Sequence, residues 1–492
     1  MIRPLVRWLL FAAGCALLGL ALIALALYWH FLRSGPEPRA WHETALQDFT
    51  AADAAEITTL ADYRKLEDRL FAELRDQVYV QSAPGDREAF NRFRPGSRSD
   101  PAIWPVDWNR SFHLEAAPAT GGRRGVVLLL HGLTDAPYSL RSIGEHLAAG
   151  GFEVVGLRLP GHGTAPSGLV TFRVEDMQAA VRMAMLDLRR QAGPDLPIYM
   201  VGYSNGAALA VDYTLSILEG EALPKPAGLV LISPSIGITR LAGVAQLRTG
   251  LSSVPGFERA AWQVIQAEFD PYKYNSFSFN AAGQTHRLTT RVSRRVLKLA
   301  NGRPIEGFPP VLVFLSTVDS TVRAEAVVDA LLEHLAPGDH ELVLFDVNRY
   351  SMVQQLLVTD PGPLTQRLLA LPQRPFGLTV ITNETPDTLQ VKELRAPAGS
   401  NEQVTRPLEL SWPRTVFSLS HVALPFPPND PLYGYEPVAE AEHVQLGRIE
   451  VRGENGVLAL PMWALTRQRS NPFHSYLIER LDEFVADDAG AP

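Results

Sequence analysis

Residues 198–210 read IYMVGYSNGAALA, and this stretch decides the fold. Ile198–Val201 is a short apolar run of strand type, and Ala207–Glu219 has the composition of a helix. Between them lies Gly202-Tyr203-Ser204-Asn205-Gly206, a G-x-S-x-G turn. A serine at the tip of so sharp a strand-to-helix turn presents its hydroxyl to a ligand. The backbone there is strained and its neighbours crowd together, so Gly202 and Gly206 keep the turn free of clashing side chains. The helix that follows points its N-terminus at the same spot, which favours developing negative charge. Ser204 is therefore the candidate nucleophile.

Outward from this turn, strands and helices alternate. Val126–Leu130, Glu153–Leu157, Leu229–Ile232 and Val311–Leu315 read as buried strands, and Tyr138–Ala149 and Val174–Gln191 as helices. Alternation of this kind predicts an α/β fold with a mostly parallel sheet and helices on both faces. Val126–Leu130 runs into His131-Gly132-Leu133-Thr134. A loop at that place supplies the second backbone donor of an oxyanion hole, so the N–H groups of Leu133 and Asn205 are the candidate pair. The His131 side chain is expected to shape the loop rather than act as a base. Asp135 and Pro137 suit the start of the next helix.

These residues resemble a known group. Leu129–Ser167, with its His-Gly loop and its Pro160-Gly161-His162-Gly163 turn, followed by the G-x-S-x-G turn, is similar to bacterial lysophospholipases, monoacylglycerol lipases and related serine aminopeptidase-like hydrolases. The resemblance implies an α/β-hydrolase fold and a Ser-His-Asp triad in the chain order Ser, acid, His. In that order the acid follows a core strand. Val311–Leu315 ends in Ser316-Thr317-Val318-Asp319, which makes Asp319 the candidate, with Asp346 in reserve. His421, after an expected short strand Val416–Leu419, is the candidate base. His286, His334, His340, His443 and His474 are rivals in poorer positions. About a hundred residues separate Asp319 from His421, more than compact members use. That insert is expected to be folded, with strands at Glu341–Phe345 and Leu378–Thr382 and a helix at Leu364–Leu371.

The two ends of the chain set its organisation. No charged side chain occurs between Trp8 and Trp29, a run long enough to cross a bilayer. The run is too long for the core of a cleaved signal peptide and continues past Cys15, where a lipidated cysteine would end it. An uncleaved single-pass anchor is expected over residues 1–33. Arg3 and Arg7 favour a catalytic part on the outer side, which for a bacterial inner membrane is the periplasm. Residues 34–110 form a linker and an amphipathic helical segment expected to pack on the rest. Residues 111–492 form the catalytic domain, with a lid insertion at about 236–307 and a further insertion at about 323–415. Within the first insertion, the aromatic run Asp270–Phe277 either lines an acyl pocket or packs the lid.

Charge narrows the partners. The formal net charge is −8 and no basic run interleaves with aromatics, which argues against a nucleic-acid surface. A single cysteine excludes an intrachain disulfide and a cysteine-based metal cluster. The expected chemistry calls for no metal and no cofactor. An acyl-ester hydrolase acting on a lipid-like substrate is the leading reading. A peptidase or amidase with the same triad is the alternative, and an inert membrane-tethered binding protein the third.

Overall fold

In β2 (Gly125–Leu130) every residue is buried, and alternate side chains enter two different cores. Val126, Leu128 and Leu130 join one cluster, and Val127 and Leu129 the other. A strand covered on both faces must be apolar throughout, because successive side chains point to opposite sides. The same holds for β3 (Phe152–Leu157), β4 (Ile198–Tyr203), β5 (Gly228–Ile232) and β8 (Val311–Ser316), all wholly buried. Each such valine or leucine taken out of water contributes roughly 1.5–3 kcal/mol before conformational entropy is counted.

The computed structural model describes residues 2–33, 36–79, 90–118, 122–237, 258–357, 360–371, 373–436, 442–449 and 467–487. The remaining strands are β1 (Phe112–Leu114), β6 (Trp262–Val264), β7 (Phe277–Ser278), β9 (His340–Phe345), β10 (Gly377–Asn383), β11 (Gln390–Ala396) and β12 (Val404–Ser411). Ten of these strands make one sheet in the order β1-β3-β2-β4-β5-β8-β9-β10-β11-β12. From β3 to β10 every pairing is parallel. The edges are antiparallel: β1 on β3 at one side, β11 and β12 at the other. Strands β6 and β7 pair separately.

Among the described residues, the helices of nine residues or more are α1 (Ile2–Arg33), α2 (Leu60–Leu74), α3 (Arg141–Ala149), α4 (Val174–Ala192), α5 (Asn205–Leu218), α6 (Phe279–Ala300), α7 (Gly362–Ala370) and α8 (His474–Asp487). Side chains of α2, α4, α5, α6 and α7 cover one face of the sheet, and those of α3 and α8 the other. Helix α1 stands apart. It contains a 21-residue stretch, Val6–Ala26, long and apolar enough to cross a membrane, and none of that stretch is buried in the rest of the chain.

The amphipathic segment before the sheet packs on it. Phe49, Leu60, Tyr63, Leu66 and Leu70 enter the larger core. An ionic knot fixes the contact. Arg158, fully buried after β3, pairs with Asp48 at 2.8 Å and with Glu67 at 2.9 Å. The Tyr63 hydroxyl donates to the Arg158 carbonyl at 2.9 Å.

The insert between Asp319 and His421 extends the sheet, since β9 to β12 all lie in it. Three local expectations are corrected. Val416–Leu419 forms no strand. Strand β12 stops at Ser411, Pro413 opens a turn closed by the Val416 N–H, and Asn348 takes the place of a neighbouring strand. Its Nδ2 donates to the Val416 carbonyl at 2.9 Å and its backbone N–H to that of Phe417. The helix expected at Tyr138 begins as a 3-10 turn, Pro137–Leu140, before α3. Asp135 does not cap it; its carboxylate pairs with Lys273 at 3.2 Å.

Candidate active site

Ser204 stands between the end of β4 and the start of α5 with φ 53° and ψ −113°. An L-residue in this region costs on the order of 1–3 kcal/mol, held only where the surroundings over-determine it. The two glycines explain how the turn closes. A Cβ on Gly206 would stand 2.0 Å from the Leu130 carbonyl oxygen, and one on Gly202 would stand 2.5 Å from Cα of Ala207. No side chain fits at either place.

Three residues far apart in sequence meet here. His421 Nε2 lies 2.9 Å from Ser204 Oγ, and His421 Nδ1 lies 2.7 Å from Asp319 Oδ2. Asp319 ends the loop after β8, and its other carboxylate oxygen accepts the backbone N–H groups of Thr321 at 2.7 Å and Val322 at 2.9 Å. It thus does both jobs open to it, facing the imidazole and closing its own turn. Burial works to raise the Asp319 carboxyl, but the His421 charge and these hydrogen bonds outweigh it and hold it below the usual range. All three side chains are nearly buried. The Tyr203 hydroxyl donates to the His421 carbonyl at 3.4 Å, and the two rings lie 5.5 Å apart.

The strained serine at the end of a central parallel strand, with an acid and a histidine brought beside it, decides the fold. This is the α/β-hydrolase fold. Residues 121–350 match the model of the family described as "Serine aminopeptidase, S33". A thermostable monoacylglycerol lipase of Bacillus sp. (strain H-257) is 31% identical over 116 residues, which cover 24% of this chain and 43% of that protein. This chain thus spans less than half the length of that relative. Among solved structures, LipS and LipT, described as metagenome-derived lipolytic enzymes, give 20% identity and a TM-score of 0.38, covering 48% of this chain and 87% of that one. A monoacylglycerol lipase of Paleococcus ferrophilus gives 20% identity and a TM-score of 0.36, covering 48% and 88%.

The loop after β2 lies against the Ser204 turn. His131 is buried, and burial drives its pKa well below the ordinary value. Its Nε2 accepts the Leu159 N–H at 3.0 Å and its Nδ1 meets the Gly132 carbonyl at 2.8 Å, so the neutral ring ties two loops together. Among the described residues, the N–H groups of Leu133 and Asn205 donate to no backbone acceptor.

The reserve acid and the rival histidines lie elsewhere. Asp346 is engaged by Arg349 at 2.6 and 3.1 Å and by Thr382 at 2.9 Å. His340 opens β9, His474 opens α8, His286 lies in α6 and His334 in a 3-10 turn. His443 stacks on Trp104 at 4.0 Å. None of these, among the described residues, bonds to Ser204.

Two contributions escaped the sequence. Ser235 Oγ lies 3.1 Å from Ser204 Oγ, and the Ser235 N–H donates to the Ser204 carbonyl at 3.0 Å. Its only signal is its place just beyond the carboxyl end of β5, where ligands meet parallel sheets. The second is a cavity of about 250 Å³ whose lining includes Thr134, which follows Leu133 in the chain, and Val422, which follows His421. The rings of the aromatic run have different surroundings. Tyr274 and Phe277 line this cavity, whereas Tyr272 stacks on Tyr138 at 4.3 Å in a cluster with Phe426 and Tyr433.

Proposed function

We propose that this chain is a serine hydrolase that cleaves carboxylic esters of lipid-like acyl groups. The observation that carries the reading is the continuous line Ser204–His421–Asp319, with 2.9 and 2.7 Å contacts in the order that proton transfer needs. Ser204 Oγ attacks the ester carbonyl as His421 Nε2 takes its proton. The alkoxide that develops on the carbonyl oxygen is held by the N–H groups of Leu133 and Asn205. His421 then returns the proton to the leaving alcohol, and water reverses the sequence to release the acid. Asp319 fixes the tautomer and stabilises the imidazolium. No metal or cofactor is called on. The lipid reading is supported by the likeness to a monoacylglycerol lipase, by the aromatic side of the cavity and by α1. That helix would act as a single-pass anchor holding residues 111–492 at a membrane surface. Arg3 and Arg7 favour the periplasmic side of a bacterial inner membrane for the catalytic part. The described part of residues 34–110 then forms the brace between anchor and sheet; the lid expected over residues 236–307 lies in part, at 238–257, outside the described residues.

A peptidase reading draws on the family description and on charged side chains in the cavity. One series separates the two: the full chain in detergent against p-nitrophenyl esters of rising acyl length and matching anilides, beside Ser204→Ala. Ester turnover with a medium- or long-chain optimum, abolished in the variant, is expected. Anilide cleavage without ester preference would replace the esterase reading with the peptidase one.

A further inference from the structure

Beyond the end of β5 the chain makes a strained turn that returns it to Ser204. Ser233 has φ 45°, in the left-handed region, and it precedes Pro234, which narrows its choices further. A serine held there costs on the order of 1–3 kcal/mol and persists only where its surroundings over-determine it. The surroundings here are backbone bonds shared with the Ser204 turn. The Ser233 N–H donates to the Phe314 carbonyl of β8 at 2.8 Å, and the Ser204 N–H donates to the Ile232 carbonyl of β5 at 2.9 Å. The Ser235 N–H completes the set with a bond to the Ser204 carbonyl at 3.0 Å. The strained turn thus delivers Ser235 to the site.

The side chain it delivers is directed at the nucleophile. Ser235 is buried, and among the described residues its Oγ has Ser204 Oγ, at 3.1 Å, as its hydrogen-bond partner. Geometry alone allows either oxygen to donate. Proton count settles the direction. His421 Nδ1 faces the Asp319 carboxylate at 2.7 Å, so it carries the ring proton and leaves Nε2 as an acceptor. Nε2 lies 2.9 Å from Ser204 Oγ and takes the one proton that this hydroxyl has. The bond between the two serines is then donated by Ser235, to a lone pair of the attacking oxygen.

We propose that Ser235 is a further catalytic residue, whose hydroxyl stabilises the charge on Ser204 Oγ both when that oxygen attacks and when it departs. In acylation the Ser204 proton passes to His421 Nε2, Oγ bonds to the carbonyl carbon, and the carbonyl electron pair moves onto its own oxygen. Negative charge grows on Oγ before carbon shares it, and a donor already in place meets it without reorganisation. In the acyl-enzyme Oγ is an ester oxygen and a poor acceptor. In deacylation water gives a proton to His421 and attacks. The C–Oγ bond breaks, its electron pair returns to Oγ, and Oγ takes the proton back from His421. Ser235 keeps its own proton throughout. Such a donor also blunts the nucleophile, but, as with thiolates, reactivity falls by less than acidity rises, so attack gains. The role rests on Ser204 being the nucleophile and is the same for an ester and an amide.

The test is Ser235→Ala in the full chain in detergent, beside Ser235→Thr, which keeps the hydroxyl, and Ser235→Cys, which fills the space with a weak donor. A donor aimed at a full oxyanion is worth about 10²–10³ in kcat, and Oγ carries only part of a charge, so an effect of about tenfold is expected. The rate of fluorophosphonate labelling at Ser204 should fall by that factor in the Ala and Cys variants and recover to within about threefold of the parent in the Thr variant. On a p-nitrophenyl ester, kcat and kcat/KM should fall together with KM unmoved, because the bond strengthens only on the way to and from the acyl-enzyme. All three variants keep the backbone bond from residue 235 to Ser204, so a role confined to bracing the turn predicts no change. Unchanged labelling in Ser235→Ala, a Cys variant as fast as the parent, or a Thr variant as slow as Ala would overturn the role while leaving the hydrolase reading intact. Slowed labelling in a chain that cleaves no ester would remove the ester reading and leave Ser235 standing. A parent chain that does not label at Ser204 would remove both.

Discussion

Ser204 hangs from β4, whose neighbours β2 and β5 are wholly buried, and its conformation is set within five residues by two glycines and a helix start. His421 has no such support. It follows a segment without regular structure, 102 residues beyond Asp319, and its place is held by side chains from several parts of the chain. Asn348 fixes Val416 and Phe417, Ser420 ties to Gln468, and Tyr203 holds the His421 carbonyl. The proposed nucleophile is positioned by the ladder, the proposed base by a lacing of individual hydrogen bonds. Mutations near Ser204 should act through the fold as a whole, and mutations around His421 through small displacements of one ring.

The largest expected effect is on chemistry. Ser204→Ala, His421→Ala and Asp319→Asn should each lower ester turnover on the order of 10⁴-fold while thermal melting moves little, because a triad works as a unit. Retained activity in Asp319→Asn would break the assignment of the acid. Next in size is a change of stability. Arg158→Met leaves the buried Glu67 and the partly exposed Asp48 without their cation, and losing one partner of a buried pair costs about 3–5 kcal/mol. A denaturant titration should show that loss; a shift under about 1 kcal/mol would mean that the N-terminal brace is not locked by this knot.

A smaller effect sharpens the contrast between the two halves. Asn348→Ala removes bonds to Val416 and to the Asn383 amide, worth about 1–3 kcal/mol when left unmade in the interior. A fall of roughly tenfold in kcat with little change in KM is expected, since small misplacements of a reacting group are costly. An unchanged kcat would show that the base is held by other means. Smallest of all, Asp346→Asn should leave turnover within about threefold, its loss confined to the bonds with Arg349 and Thr382.

The same contrast governs what could be read in advance. The strands around Ser204 are continuous apolar runs, so their places in the chain were legible, although each runs one or two residues further than expected. Strands β11 and β12 were not, because QVKELRA and VTRPLELS mix charged residues with few buried side chains at the margin of the sheet, where β12 is the edge strand. Asp319 and His421 could be named from chain order, but the arrangement that holds His421 could not. Asn348, Ser420 and Tyr203 act through single bonds between residues distant in sequence, which leave no periodicity. The Arg158 knot was hidden in the same way, since a buried arginine looks like a surface one until its partners are known.

The central claim is that Ser204 is the activated nucleophile and that His421 activates it. Labelling of the full chain with a fluorophosphonate, followed by peptide mass spectrometry, tests it most directly. One adduct on Ser204 is predicted, absent in Ser204→Ala and slowed at least a hundredfold in His421→Ala. An adduct on another residue, or equal labelling with and without His421, would contradict it.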